Sequence, residues 1–148
     1  MGVIWTPTAV GAPIPTRKIL TGRRDCITGY FPTPKAEPAD QGEPEKRLVA
    51  YDGFDCRNVM AICDHDRGVK SFREEPPPIL WEDGEGISHL YYPDIAVRMI
   101  DGRRICVEVK RAAKVKRTNF KEKFEHIRIA AQMAGYDEAE LWSEKDIY

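Results

Sequence analysis

The four cysteines, Cys26, Cys56, Cys63 and Cys106, include no Cys-x-x-Cys pair, so neither a zinc site nor a disulfide framework is indicated. Cys63-Asp64-His65 reads as a buried thiol beside a solvated loop rather than as a set of ligands. No run approaches the ~18 apolar residues of a membrane span. The first residues lack a charged stretch followed by a long apolar one, so no signal-peptide pattern is present, and the loose myristoylation match at Met1-Gly2-Val3-Ile4-Trp5-Thr6 is expected to be coincidental. No internal repeat is visible. Together these absences predict a protein of a reducing cytoplasm without a membrane partner.

Net charge is nearly absent as well, at −1, but the balance is local rather than uniform. The chain has 148 residues, 42% hydrophobic and 32% charged, which is enough for one domain with its own core. Residues 1–35 carry five basic groups against Asp25, and residues 36–94 carry six against fourteen acidic ones. Residues 110–123 then hold seven basic groups, Lys110, Arg111, Lys114, Lys116, Arg117, Lys121 and Lys123, against Glu122 alone. A basic stripe in a neutral protein is an electrostatic footprint for phosphates, so the expected partner is DNA.

Just before that stripe, the runs Tyr92–Ile100 and Arg104–Lys110 flank Asp101-Gly102 and read as a β-hairpin. A two-residue loop would mix charge with core on both faces. A three-residue loop from Asp101 to Arg103 pairs Met99 with Ile105, Val97 with Val107 and Ile95 with Val109, giving one apolar face. The other face then carries Asp94, Ala96, Arg98, Cys106, Glu108 and Lys110, with Asp94 opposite Lys110 and diagonal to Glu108. Two carboxylates so placed, with a backbone carbonyl, are of the chemistry that suits Mg²⁺.

Residues 1–16, punctuated by Pro7, Gly11, Pro13 and Pro15, predict an extended arm, and residues 17–148 predict a single domain. Residues 36–44 read as a mobile loop. Leu48 to Cys63 has helical periodicity, weakened by Gly53. Val69–Phe72, Pro78–Trp81 and Ile87–Tyr92 read as extended, Phe120 to Ala134 as a helix with Thr118 as N-cap and Gly135 as C′ cap, and Ala139–Trp142 as a last strand before a Ser143/Asp146 cap.

At Pro93-Asp94 and Glu108-Val109-Lys110 the chain resembles the PD-(D/E)xK signature of restriction-endonuclease-like nucleases. Ile27–Pro32 with Lys35, Arg47–Tyr51, Asp64-His65-Asp66, Val69–Pro76, Tyr92–Asp94, Val107–Lys110 and Leu141–Ile147 together are similar to the catalytic domain of TnsA, the endonuclease subunit of a bacterial transposase. The resemblance spans roughly residues 17–148. It implies an α/β fold with a restriction-endonuclease-like core, a central mixed β-sheet flanked by helices in the order α-β-β-β-α-β. It further implies a Mg²⁺- or Mn²⁺-dependent endodeoxyribonuclease of a transposon or phage, acting beside a transposase or phage protein complex in a bacterial cytoplasm or a virion.

The resemblance assigns Asp94, Glu108 and the Val109 carbonyl to the metal, and Lys110 to positioning water or countering transition-state charge. Arg111, Lys114, Lys116, Arg117, Lys121 and Lys123 would contact flanking phosphates. The chain departs from the family at two places. Asp52-Gly53-Phe54-Asp55-Cys56-Arg57 stands where relatives carry Glu-Ser-x-x-Glu-Arg, and Glu75-Pro76 stands for Gln-Pro. Cys56 thus replaces the helix glutamate, and hard cations want oxygen, so Asp52, one turn away, is expected to serve, with Asp55 second and Glu43 or Glu45 behind. The alternative is a catalytically degenerate nuclease fold that binds DNA or forms part of a phage virion assembly.

Overall fold

The structure is a computed structural model and describes residues 28–37 and 48–148. The expected arm at 1–16 and most of the 36–44 loop lie outside the described residues, as do Glu43 and Glu45. The elements are β1 (Thr28–Pro32), β2 (Leu48–Asp52), α1 (Phe54–His65), β3 (Val69–Glu74), β4 (Ile79–Glu82), β5 (Ser88–Tyr91), β6 (Ile95–Met99), β7 (Arg104–Val109), α2 (Ala112–Arg117), α3 (Phe120–Met133), β8 (Glu138–Trp142) and α4 (Glu144–Ile147).

A central mixed sheet runs β3-β6-β7-β8, antiparallel except for the parallel β7–β8 pair. That parallel pair is joined through α2 and α3, as a parallel connection requires. β1 and β2 form one antiparallel pair and β4 and β5 another. The molecule is therefore mixed α/β. No helix among the described residues is long and apolar enough to cross a membrane.

The expected hairpin forms, but its register differs by two residues. Ile95 pairs with Val107, Ala96 with Cys106 and Val97 with Ile105. The loop has three residues as expected, Ile100 to Gly102 rather than Asp101 to Arg103, closed by the Met99 N–H donating to the Arg103 carbonyl at 2.8 Å. The reason lies in Gly102, whose φ is 93°. A type I turn followed by a left-handed residue needs the glycine third in the loop, not second. A slip of two preserves side-chain parity, so Ile95, Val97, Ile105 and Val107 remain on one buried face.

The opposite face, polar by the sequence pattern, is instead covered. Cys106 and Ala139, with Ala96 packed against them, meet Phe120, Phe124, Ile127, Ala130 and Ala131 of α3 together with Ile79, Trp81 and Tyr91. Small side chains on that face let the helix approach closely. The first face packs Val59, Met60 and Cys63 of α1 with Val49 and Phe72.

The helix expected over Leu48–Cys63 divides at Gly53, whose φ of 89° ends β2 and starts α1. Residues 48–52 are extended because β1 is there to pair with them, from Thr28 with Asp52 to Pro32 with Leu48. The helix after Lys110 is likewise two helices. Thr118 ends α2, donating its hydroxyl to the Lys114 carbonyl at 2.7 Å, while Asn119, at φ 51°, precedes α3. At the far end Gly135, φ 91°, closes α3: its N–H donates to Gln132 and that of Tyr136 to Ala131, the paired C-terminal bonds of a Schellman motif. Ser143 and Asp146 form the expected capping box.

The turn makes a direct prediction. No atom lies near a Cβ built on Gly102, so Gly102→Ala meets only backbone strain and should lower unfolding free energy by about 1 kcal/mol. Urea denaturation measures it, and an unchanged midpoint would contradict the turn geometry.

Candidate functional site

The β6–β7 ladder parts at its Asp94 end. Pro93 has no N–H to give, the Asp94 N–H donates to the Val107 carbonyl at 3.1 Å, and the Val109 N–H turns to the Asp94 carboxylate, Oδ2, at 2.8 Å. A side chain thus replaces the last rung of the ladder. The register that pairs Ile95 with Val107 takes Asp94 out of its expected place opposite Lys110, and where the ladder ends Asp94 lines the α1-side cavity, which Glu108, bonded to Tyr91, does not line; the single acidic face expected from sequence is not what forms.

Glu108 is buried between two partners. Its Oε2 accepts the Tyr91 hydroxyl at 2.7 Å, and its Oε1 lies 3.6 Å from the Lys110 ammonium. Burial first, then the Glu108 carboxylate, pushes the Tyr91 phenol well above its ordinary value, so it stays a donor. Lys110 is mostly buried, its Nζ 4.5 Å from the centre of the Phe120 ring, and its N–H holds the Trp142 carbonyl. Lys123 extends the same cation–aromatic contact to Phe120 and Trp81, both 5.6 Å away.

On the α1 side of the sheet, a cavity of about 120 Å³ is lined by Asp52, Glu75, Asp94, Cys56, Tyr51 and Val109, among others. Asp52 is the last residue of β2, not a helix residue as the sequence pattern predicts, because Gly53 breaks the chain between them. It reaches the same cavity as Asp94 from that strand. Asp55 does not join them: its carboxylate pairs with Arg111 at 2.8 Å and accepts the Tyr148 hydroxyl at 3.1 Å.

Glu75 is a site residue that the sequence pattern does not single out. It is buried, sits at the rare φ of 39°, and its N–H donates to the Asp94 carbonyl at 2.9 Å. Its sequence signals are a second acid directly after a strand and its place before Pro76 where the resembled family has Gln, but only the pairing of β3 with β6 carries it to Asp94. Strained backbone of this kind gathers at functional sites.

Cys56 marks where the charge converges. Burial raises its thiol above the usual range, and so do, in decreasing order, the carboxylates of Asp94, Glu75, Glu108 and Asp52. Oxygen donors from three separate elements around one cavity match a hard divalent cation by chemistry, whereas a neutral thiol does not. Among the described residues, no group of three or more His, Cys, Asp or Glu side chains is arranged to hold a metal ion as it stands.

The predicted DNA contacts Arg111, Lys114, Lys116, Arg117, Lys121 and Lys123 are all exposed, spread over α2, its flanks and the first turn of α3. They follow directly from β7, so the basic surface begins where the acidic pocket ends. No protein-family model matches the chain, and no curated protein matches it significantly.

Because carboxylates help hold the Cys56 thiol neutral, its alkylation by iodoacetamide at pH 8 should be far slower than that of an unstructured cysteine. Asp94→Asn should speed it, since removing the leading carboxylate lowers the thiol's pKa and raises the thiolate fraction. Mass spectrometry of the Cys56 peptide across a pH series measures this, and an unchanged or slower rate in the variant would refute the charge convergence.

Proposed function

We propose that this chain is a metal-dependent DNA endonuclease with a restriction-endonuclease-like core, a stand-alone relative of the TnsA nucleases serving a transposon or phage. The observation that carries the reading is the cavity at the parted end of β6 and β7, where Asp94, Asp52 and Glu75 meet beside an exposed basic surface. Asp94 and its neighbours Asp52 and Glu75 would hold Mg²⁺ or Mn²⁺, with Glu108 and the Val109 carbonyl completing the surroundings on the sheet side. Such an ion supplies Lewis acidity at a phosphate and a bound water of lowered pKa.

The chain's own groups do the rest. The Tyr91 hydroxyl and the Lys110 ammonium hold the Glu108 carboxylate from either side. Lys110, steadied by Phe120, is the positive charge available to a phosphorane-like transition state. Lys114, Lys116, Arg117, Lys121 and Lys123 would bind flanking phosphates without reading bases. Arg111 is partly committed to Asp55, which fixes the start of that surface relative to α1.

Cys56 favours a second reading, a degenerate nuclease that binds DNA or assembles with phage proteins, because a half-buried thiol with a raised pKa stands at the helix position the family gives to glutamate. Plasmid incubated with Mg²⁺, Mn²⁺ or EDTA separates the two. The endonuclease reading expects metal-dependent nicking that falls by at least about a hundredfold in Asp94→Ala, more than the loss of an outer-shell partner alone. DNA binding without cleavage in the wild-type protein would favour the second reading.

DNA affinity should also fall steeply with salt. In Lys114→Ala/Lys116→Ala/Arg117→Ala the log–log slope should flatten by about 0.9 for each duplex phosphate that the variant no longer neutralises. An unchanged slope would move the DNA path elsewhere.

A further inference from the structure

A second groove lies away from the acidic cavity, along the outer edge of the sheet. It measures about 600 Å³ and is lined by Arg128 and Gln132 of α3, Asp137, the strand β8 from Glu138 to Trp142, and Asp146 of α4. It shares no lining residue with the pocket around Asp94. Among the described residues β8 has one strand neighbour, β7.

Backbone geometry gives the groove a function. The Trp142 carbonyl accepts the Lys110 N–H at 2.9 Å, so Trp142 points its polar backbone groups at β7. Successive residues of a strand alternate sides, so the N–H and C=O groups of Leu141 and Ala139 turn toward the groove. A row of outward backbone groups is a template for another strand.

The side chains decide which strand fits. Glu138 and Glu140 stand two residues apart and so on one face of β8, and Asp137 and Asp146 add negative charge at the two ends of the groove. Glu140 accepts the neutral Trp142 indole N–H at 2.8 Å and so keeps its charge, whereas Glu138 is partly offset by Arg103 at 3.2 Å, an exposed pair that a competing cation can replace. Arg128, the one cation among the lining residues, is itself 3.8 Å from Glu125. On the other face Ala139 is buried and Leu141 packs against the α3 core.

We infer that β8 is a docking edge for an extended segment of a partner protein, with Lys or Arg at alternate positions and apolar residues between them. In such a pairing the basic side chains lie across from Glu138 and Glu140, where opposite charges attract directly, and the apolar ones lie beside Ala139 and Leu141. An acidic or uniformly apolar strand finds no such match. The segment adds a fifth strand to the central sheet, and its main-chain bonds supply affinity while the acidic face supplies selection.

Fluorescence anisotropy of a dye-labelled, acetylated Lys-Val-Lys-Val-Lys-Val peptide, titrated with the full chain, tests this. Saturable binding is expected, with no binding of the Glu-Val counterpart. Affinity should drop by about tenfold or more in Glu138→Lys/Glu140→Lys, and equally for the same peptide N-methylated at alternate residues. N-methylation leaves the protein untouched, so its effect cannot come from misfolding. Binding that N-methylation does not weaken would reduce the association to unspecific charge attraction and overturn the proposal. Absence of binding would overturn it too, as would a concentration-dependent dimer that protects the Ala139 and Leu141 amides from hydrogen exchange, since a second copy would then be the occupant.

Discussion

The Val109 N–H, donated to the Asp94 carboxylate instead of to a backbone carbonyl, is the bond on which the site depends. In an ordinary antiparallel ladder that N–H would close another rung and the two strands would continue side by side. Pro93 withholds its donor, the strands part, and a side chain satisfies the exposed group that a buried backbone cannot leave unpaired. The same bond orients Asp94 at the mouth of the cavity, with Glu75 tied to its carbonyl and Asp52 across from it. The end of a strand pair is thus converted into a place where acids from three segments face one space.

The other constraint is that the central sheet is covered on both faces. α1 with β2 packs on one and α3 with the β4–β5 pair on the other. A sheet buried on both sides excludes water around Glu108, so its contacts with Tyr91 and Lys110 operate at low effective dielectric and are stronger than the same contacts at a surface. Lys110 gains a second attachment through Phe120, which itself belongs to the α3 core. The groups proposed for chemistry are therefore buried or half-buried at the end of the covered sheet, and the groups proposed for phosphate binding are exposed on α2, its flanks and the start of α3. One sequence stretch, Glu108 to Lys123, crosses from the first environment to the second.

Charge follows the same division. A net charge of −1 conceals an acidic cavity, a basic helix pair and an acidic edge groove. Each has a different solvent environment: the cavity carboxylates are inside enough to raise the Cys56 thiol, whereas the α2–α3 cations remain in water and keep their reach toward phosphate. The β8 groove lies at an edge, where main-chain groups as well as side chains face outward.

Much of this is legible in local pattern. The hairpin, its three-residue loop, the separation of Ile95, Val97, Ile105 and Val107 onto one face, the α3 stripe of Phe120, Phe124, Ile127 and Ala131, the Gly135 cap and the Ser143–Asp146 capping box all follow from period, turn chemistry and caps, which act over a few residues. The stretch from Leu48 misleads because Tyr51 can be read in helical phase with Val59, Ile62 and Cys63, and only pairing with the distant β1 shows that residues 48–52 are a strand. The hairpin register comes out two residues away from the pattern's because parity, which the hydrophobic pattern specifies, does not distinguish registers two residues apart; the left-handed position of Gly102 does. The sequence by itself determined which residues alternate, which turns close and where basic charge gathers. Tertiary structure alone decided that Glu75 meets Asp94, that Asp52 comes from a strand and that Asp55 goes to Arg111, since each joins segments whose nearness depends on how sheet and helices pack, not on neighbours in the chain.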